Sequence, residues 1–156
     1  MFSIAEIIDL AVKIEKNGEA VYRQAIDQSK NQALKELLIR VADDERDHAA
    51  WFQSLLADIE KEQPQTQVRE MDAAMLEDLI GKQSFSLADI DFSGIENSRT
   101  LVDIFIEFEN DTILFYEMLK TFLTDDATVD HLEKIIQEET LHIQKLEDLR
   151  RSEKPF

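Results

Sequence analysis

Residues 34–59 read LKELLIRVADDERDHAAWFQSLLADI, and residues 132–149 read LEKIIQEETLHIQKLEDL. In the first stretch Leu34, Leu38, Val41, Glu45, His48, Phe52, Leu55 and Ile59 recur at alternating steps of three and four, which is the period of one helix face. Leu132, Ile135, Glu139, His142, Leu146 and Leu149 do the same in the second. Each stripe therefore carries a Glu-x-x-His pair where leucine or isoleucine would be expected. Positions i and i+3 lie on one face of a helix, so both groups of each pair point to the same side.

These two pairs belong to a longer repeat. Glu15 and Tyr22 precede the first stripe, Glu109 and Tyr116 precede the second, and each of Glu15, Tyr22, Glu45 and His48 recurs 94 residues later. A lone Glu-x-x-His in a glutamate-rich helical chain is a weak signal, because most acidic positions are solvated surface. Two such pairs, each in an apolar stripe and each preceded by Glu-x6-Tyr at the same offset, form a specific pattern. Six candidate ligands result: Glu15, Glu45, His48, Glu109, Glu139 and His142.

The same periodicity places the elements. Ser3 and Glu6 make a capping box, and Ile8, Ala11, Glu15, Gly18, Tyr22 and Ala25 share a face, which predicts a helix over 3–29. A second helix is expected over 32–62, ahead of Pro64. Val102, Phe105, Glu109, Thr112, Tyr116, Leu119 and Leu123 predict a third over 98–123, and a fourth follows a turn at 124–126 and ends near Arg151. Residues 63–97 are polar apart from a short amphipathic piece at 71–80 closed by Gly81. That length is unusual for a loop but suits a crossover along a bundle. The expected fold is an all-α, antiparallel four-helix bundle of two hairpins joined by a long crossover containing a short extra helix.

Composition supports this class. The chain has 156 residues with 3 Gly and 2 Pro, enough for a single domain and rich in helix formers. It carries 17 Lys and Arg against 34 Asp and Glu, a formal charge of −17, which argues against nucleic acid and anionic membranes as partners. Zero cysteines exclude disulfides, thiolate metal sites and iron–sulfur clusters. With no signal-like N-terminus and no 18-residue apolar run, a cytoplasmic location is expected.

Burying an unpaired carboxylate costs several kcal/mol, and four on converging faces would also repel one another. Two divalent cations balance four carboxylates, and oxygen with imidazole donors suits iron; manganese or zinc would accept the same set. Tyr22 and Tyr116, two turns beyond Glu15 and Glu109, are placed to hydrogen-bond a ligating carboxylate of the other repeat. Trp51 lies off the stripe and reads as packing. His131, about 16 Å along its helix from His142, reads as a surface residue and not a ligand.

At these residues the chain resembles the ferritin-like di-iron carboxylate proteins, and among them the rubrerythrin and bacterioferritin group, over about residues 3–151. The resemblance implies that Glu15 and Glu109 are terminal carboxylates, Glu45 and Glu139 bridging ones and His48 and His142 terminal imidazoles, with Tyr22 and Tyr116 the supporting tyrosines. Departures from the family narrow the choice. Without cysteine there is no rubredoxin-type domain, so an external electron donor is implied. Thr112 stands where rubrerythrins have a seventh carboxylate, and Arg46 where bacterioferritins have a haem-ligating Met, so no haem is expected. The chain stops at Phe156, where ferritin cages usually add a short fifth helix, and a homodimer is the expected assembly.

The function implied is a di-iron protein oxidising Fe2+ with O2 or H2O2, as a ferroxidase or a peroxidase. The competing reading is a non-catalytic iron-binding, storage or delivery protein. A third, a purely structural helical module, would require all six ligand-type residues to be satisfied by hydrogen bonds alone.

Overall fold

The computed structural model describes residues 3–62 and 98–152. The crossover segment 63–97, with the expected short helix at 71–80, lies outside the described residues. Helix α1 spans Ile4–Gln28, α2 Gln32–Glu62, α3 Ser98–Lys120 and α4 Asp126–Arg151. Each starts or stops for a local reason. The Ser3 hydroxyl accepts from the Glu6 amide at 3.1 Å, and the Glu6 carboxylate accepts from the Ser3 amide at 3.1 Å, completing the capping box of α1. Asn31 Oδ1 takes the Leu34 amide at 2.9 Å to open α2, and Asp125 takes the amide and hydroxyl of Thr128 to open α4. Such caps satisfy amides that have no partner inside the helix.

Helix α3 ends three residues short of the expected boundary. Amides of Thr121, Phe122 and Leu123 bond three residues back, to Met118, Leu119 and Lys120, and the Thr121 hydroxyl also takes the Met118 carbonyl at 2.7 Å. The tighter i to i−3 pattern winds the last turn down. Leu123 still packs on the core, which is why apolar periodicity ran past the helix.

Helices α1 and α2 pack as one hairpin, α3 and α4 as another, and α2 packs on α4. One core joins all four, with Ile8, Leu38, Val41, Phe52, Phe105, Phe115, Leu132 and Leu146 among its fully buried members. Burying each such side chain contributes roughly 1.5–3 kcal/mol. In the middle of that core sit Glu15, Glu45, Glu109 and Glu139, all at 0 % exposure, with His48 and His142 nearly as deep. Among the described residues no helix is long and apolar enough to cross a membrane.

Candidate metal centre

All six candidate ligands meet at the bundle centre. They form two groups, Glu15, Glu45, His48 and Glu139, and Glu45, Glu109, Glu139 and His142, within each of which one donor atom per residue lies within 4.8 Å of the others. Glu45 and Glu139 belong to both groups. The two imidazoles face one another near-parallel, with centroids 6.4 Å apart.

Each imidazole turns Nδ1 inward and Nε2 outward. His48 Nδ1 lies 2.8 Å from Glu139 Oε1 and 3.5 Å from Glu15 Oε1; His142 Nδ1 lies 3.4 Å from Glu139 Oε2 and 3.6 Å from Glu45 Oε1. Outside, His48 Nε2 meets Glu138 Oε2 at 2.5 Å and His142 Nε2 meets Asp44 Oδ2 at 2.8 Å. Half-exposed Asp44 and Glu138 are functional candidates that sequence reasoning missed. They were detectable, because each immediately precedes a repeated glutamate and the two are themselves 94 residues apart. A carboxylate on the outer nitrogen orients the ring and fixes its tautomer.

The tyrosines bond across the repeat as the sequence suggested. Tyr22 donates to Glu109 Oε1 and Tyr116 to Glu15 Oε1, each at 2.5 Å. That leaves one oxygen free on Glu15 and on Glu109. Among the described residues, the buried side-chain atoms without an acceptable hydrogen bond are Glu15 Oε2, Glu109 Oε2, both oxygens of Glu45 and of Glu139, and the two inward Nδ1 atoms. Native interiors rarely leave such groups unsatisfied, and eight converge here on one volume. Their chemistry, hard oxygens plus imidazole nitrogens, fits two divalent cations.

Gly18 makes room for this cluster. A Cβ there would lie 3.1 Å from both Glu45 Oε2 and Phe108 Cε1. Glycine inside a helix costs up to about 1 kcal/mol relative to alanine, a cost accepted where a carboxylate must approach the backbone closely. Its counterpart in the second repeat, Thr112, folds its hydroxyl back onto the Phe108 carbonyl at 2.9 Å and adds no carboxylate.

Electrostatics without cations show why the cluster needs them. Burial, then repulsion by Glu139 and the other acids, holds the Glu45 and Glu109 carboxyls well above the ordinary range, and Glu15 is raised by the same causes. Glu139 alone of the four is driven well below it: burial opposes its charge, but the close approach of the Glu109 carboxyl and of the His142 and His48 imidazoles prevails. Burial disfavours both imidazolium ions, yet Glu139 and Glu15 around His48, and Asp44, Glu109 and Glu139 around His142, outweigh it and push each pKa up to about 12. Protons thus occupy the volume that metal ions would neutralise.

His131 and Trp51 are not in either group. They stack on each other with centroids 4.3 Å apart and planes inclined by 16°, and both are half-buried. His131 is therefore part of an interhelical contact, where a surface position was expected; the two rings lie on α2 and α4, and nothing in either helix's own period reports their meeting.

The family model described as rubrerythrin matches residues 6–150. No curated protein sequence matches the chain. Among solved structures, a protein from Thermotoga maritima described as a ferritin-like diiron-carboxylate protein is similar at 24% identity, covering 98% of this chain and 97% of that one with a TM-score of 0.71. That likeness shows the ferritin-like fold.

Proposed function

The chain belongs to the rubrerythrin family, and from that premise we propose that it binds two iron ions between its repeats and oxidises Fe2+ with O2 or H2O2. One observation carries the reading: the distribution of unpartnered buried donors. Glu45 and Glu139, shared by both groups, have both oxygens free, whereas Glu15 and Glu109 have one each because a tyrosine takes the other. A carboxylate shared by two ions needs two free oxygens and a terminal one needs a single oxygen, so Glu45 and Glu139 would be shared by two ions, with Glu15 and His48 completing the set for one and Glu109 and His142 for the other.

Bound iron supplies electrons to the oxidant. The chain's residues prepare that chemistry. Tyr22 and Tyr116 fix the terminal carboxylates, Asp44 and Glu138 orient the imidazoles, and the fully buried Phe52, Phe105 and Phe115 shield the core around them. Asp44, held below the usual carboxylate range by its bond from His142, stays ionised beside the ring. As metal binds, the imidazolium and carboxyl protons leave, because ligands must be deprotonated.

Anaerobic Fe2+ titration followed by stopped-flow mixing with O2 or H2O2 tests this. Saturation at two irons per chain and oxidation well above the buffer rate are expected; tight binding with no oxidation would favour a storage or delivery protein instead. Two features give that second reading its footing: the cysteine-free chain has no electron-transfer centre of thiolate type, and Thr112 adds no further carboxylate.

A further inference from the structure

The two halves of the metal centre are covered differently on their outer sides. Trp51, Phe52 and His131 have Lys145, Leu146 and Leu37 as their counterparts 94 residues away. Phe52 and Leu146 are both fully buried, so the inner layer is closed on both sides and the difference lies in the outer layer.

One turn beyond His48, the half-buried Trp51 of α2 lies flat on His131 of α4. The ring contacts continue inward: Trp51 meets Phe52 edge-on at 5.0 Å, and Phe52 meets Tyr116, the tyrosine that holds Glu15, at 5.2 Å. Aromatic rings therefore wall the Glu15–His48 side from the surface to its terminal carboxylate. One turn beyond His142, Lys145 and Leu37 instead line an open groove of about 300 Å³, in which Arg40 and Lys145 are balanced by Glu36 and Asp148. Arg40 lies about one turn along α2 from Asp44, the carboxylate on the outer nitrogen of His142. Asp44 is also the more exposed of the two outer carboxylates, its side chain at 44% against 36% for Glu138.

We propose that the ion held by Glu109 and His142 exchanges with solvent by way of Asp44 and the groove, while the ion held by Glu15 and His48 stays resident behind the Trp51–His131 stack. The proposal rests on the di-iron reading above and deepens it: substrate Fe2+ arrives and departs on the Asp44 side, and the other ion serves as a fixed cofactor. An ion passing outward must displace its imidazole together with the carboxylate that holds the outer nitrogen. On the His142 side those groups have an open groove beside them to move into. On the His48 side the ring stack must part first. Parting one aromatic pair slows such an exit by about 2–10-fold, the rate equivalent of what the pair adds beyond its buried area.

Protein loaded anaerobically with Fe2+ is mixed with excess ferrozine, a chromophoric Fe2+ chelator, and the coloured complex is followed with time. Two release steps of equal amplitude are expected, the second about 2–10-fold slower, and Asp44→Ala accelerates the fast step alone. Trp51→Lys combined with His131→Leu gives the closed side the outer residues of the open one. It is expected to bring the slow step close to the fast one without altering the fast one, and His131→Leu alone, a milder change that keeps the indole, does so in part. Release of both ions in one step from the unaltered protein, a slow step unchanged in the stack variants, equal acceleration of both steps by them, or Asp44→Ala acting on the slow step overturns the assignment and leaves the proposed function standing. Binding of fewer than two Fe2+ per chain overturns both.

Discussion

Asp44 and Glu138 show how much of this centre is held by residues that are not candidate ligands. Each sits on the outer nitrogen of a histidine from the opposite hairpin, and such partners typically change metal affinity 10–100-fold. Because Asp44 serves His142 and Glu138 serves His48, Asp44→Ala is expected to weaken one metal ion and Glu138→Ala the other, by about that factor. Competition against a chromophoric chelator resolves the two steps; equal weakening of both ions by either variant would contradict the pairing. Glu45 poses the opposite balance. Fully buried among Glu15, Glu109 and Glu139, it must take up a proton on folding at neutral pH, which costs stability; an amide needs no such uptake, and Glu45→Gln is expected to raise metal-free stability by about 1–3 kcal/mol. The same change should reduce bound metal below two per chain. Calorimetry in chelator and metal analysis measure the two effects separately.

At the scale of the helix, caps and periodicity act on different parts of the same element. The Ser3–Glu6 box sets where α1 begins and so where Glu15, Gly18 and Tyr22 fall along the bundle axis. Ser3→Ala is expected to cost about 1 kcal/mol, or a melting temperature lower by roughly 2–4 °C for a chain of this size, with metal stoichiometry unchanged; loss of metal binding would mean that the cap does more than start the helix. The start of α1 was legible because Ser3 and Glu6 are a local signal, and the turn ahead of α4 was legible too; Asn31 and Asp125 emerge as the caps of α2 and α4 in the structure. The end of α3 was not legible, since Leu123 continues the apolar period while the carbonyls of the last turn are taken by i−3 amides and by the Thr121 hydroxyl.

Across the whole molecule, proton and metal compete for one buried volume. Both histidines have a folded pKa of about 12 against an ordinary 6.5, so the native state holds protons that the unfolded chain releases. Their stabilising contribution is fully present below pH 6.5 and is lost as pH rises toward 12. Glu45 and Glu109, also raised, add to the loss from pH 4.5 upward. Metal-free protein is therefore expected to lose stability steadily through neutral and alkaline pH, while metal affinity rises over the same range with release of protons. Thermal melts from pH 6 to 9 with and without metal check the sign; a metal-free protein that grows more stable toward pH 9 would contradict it. The metal-loaded form should gain stability by mass action.

The sequence alone carried the four helices and the six candidate ligands, because burial imprints a 3.6-residue period and a charged residue inside that period is costly unless balanced. It also carried the reach of Tyr22 and Tyr116 to the other repeat. Only the tertiary structure decided which group faces which: that Glu138 lies on His48 and Asp44 on His142, that Glu45 and Glu139 belong to both groups, and that His131 lies on Trp51. A period reports which face of a helix is buried, but the pairing across two faces depends on the rotation and axial offset of helices far apart in the chain, and packing sets those.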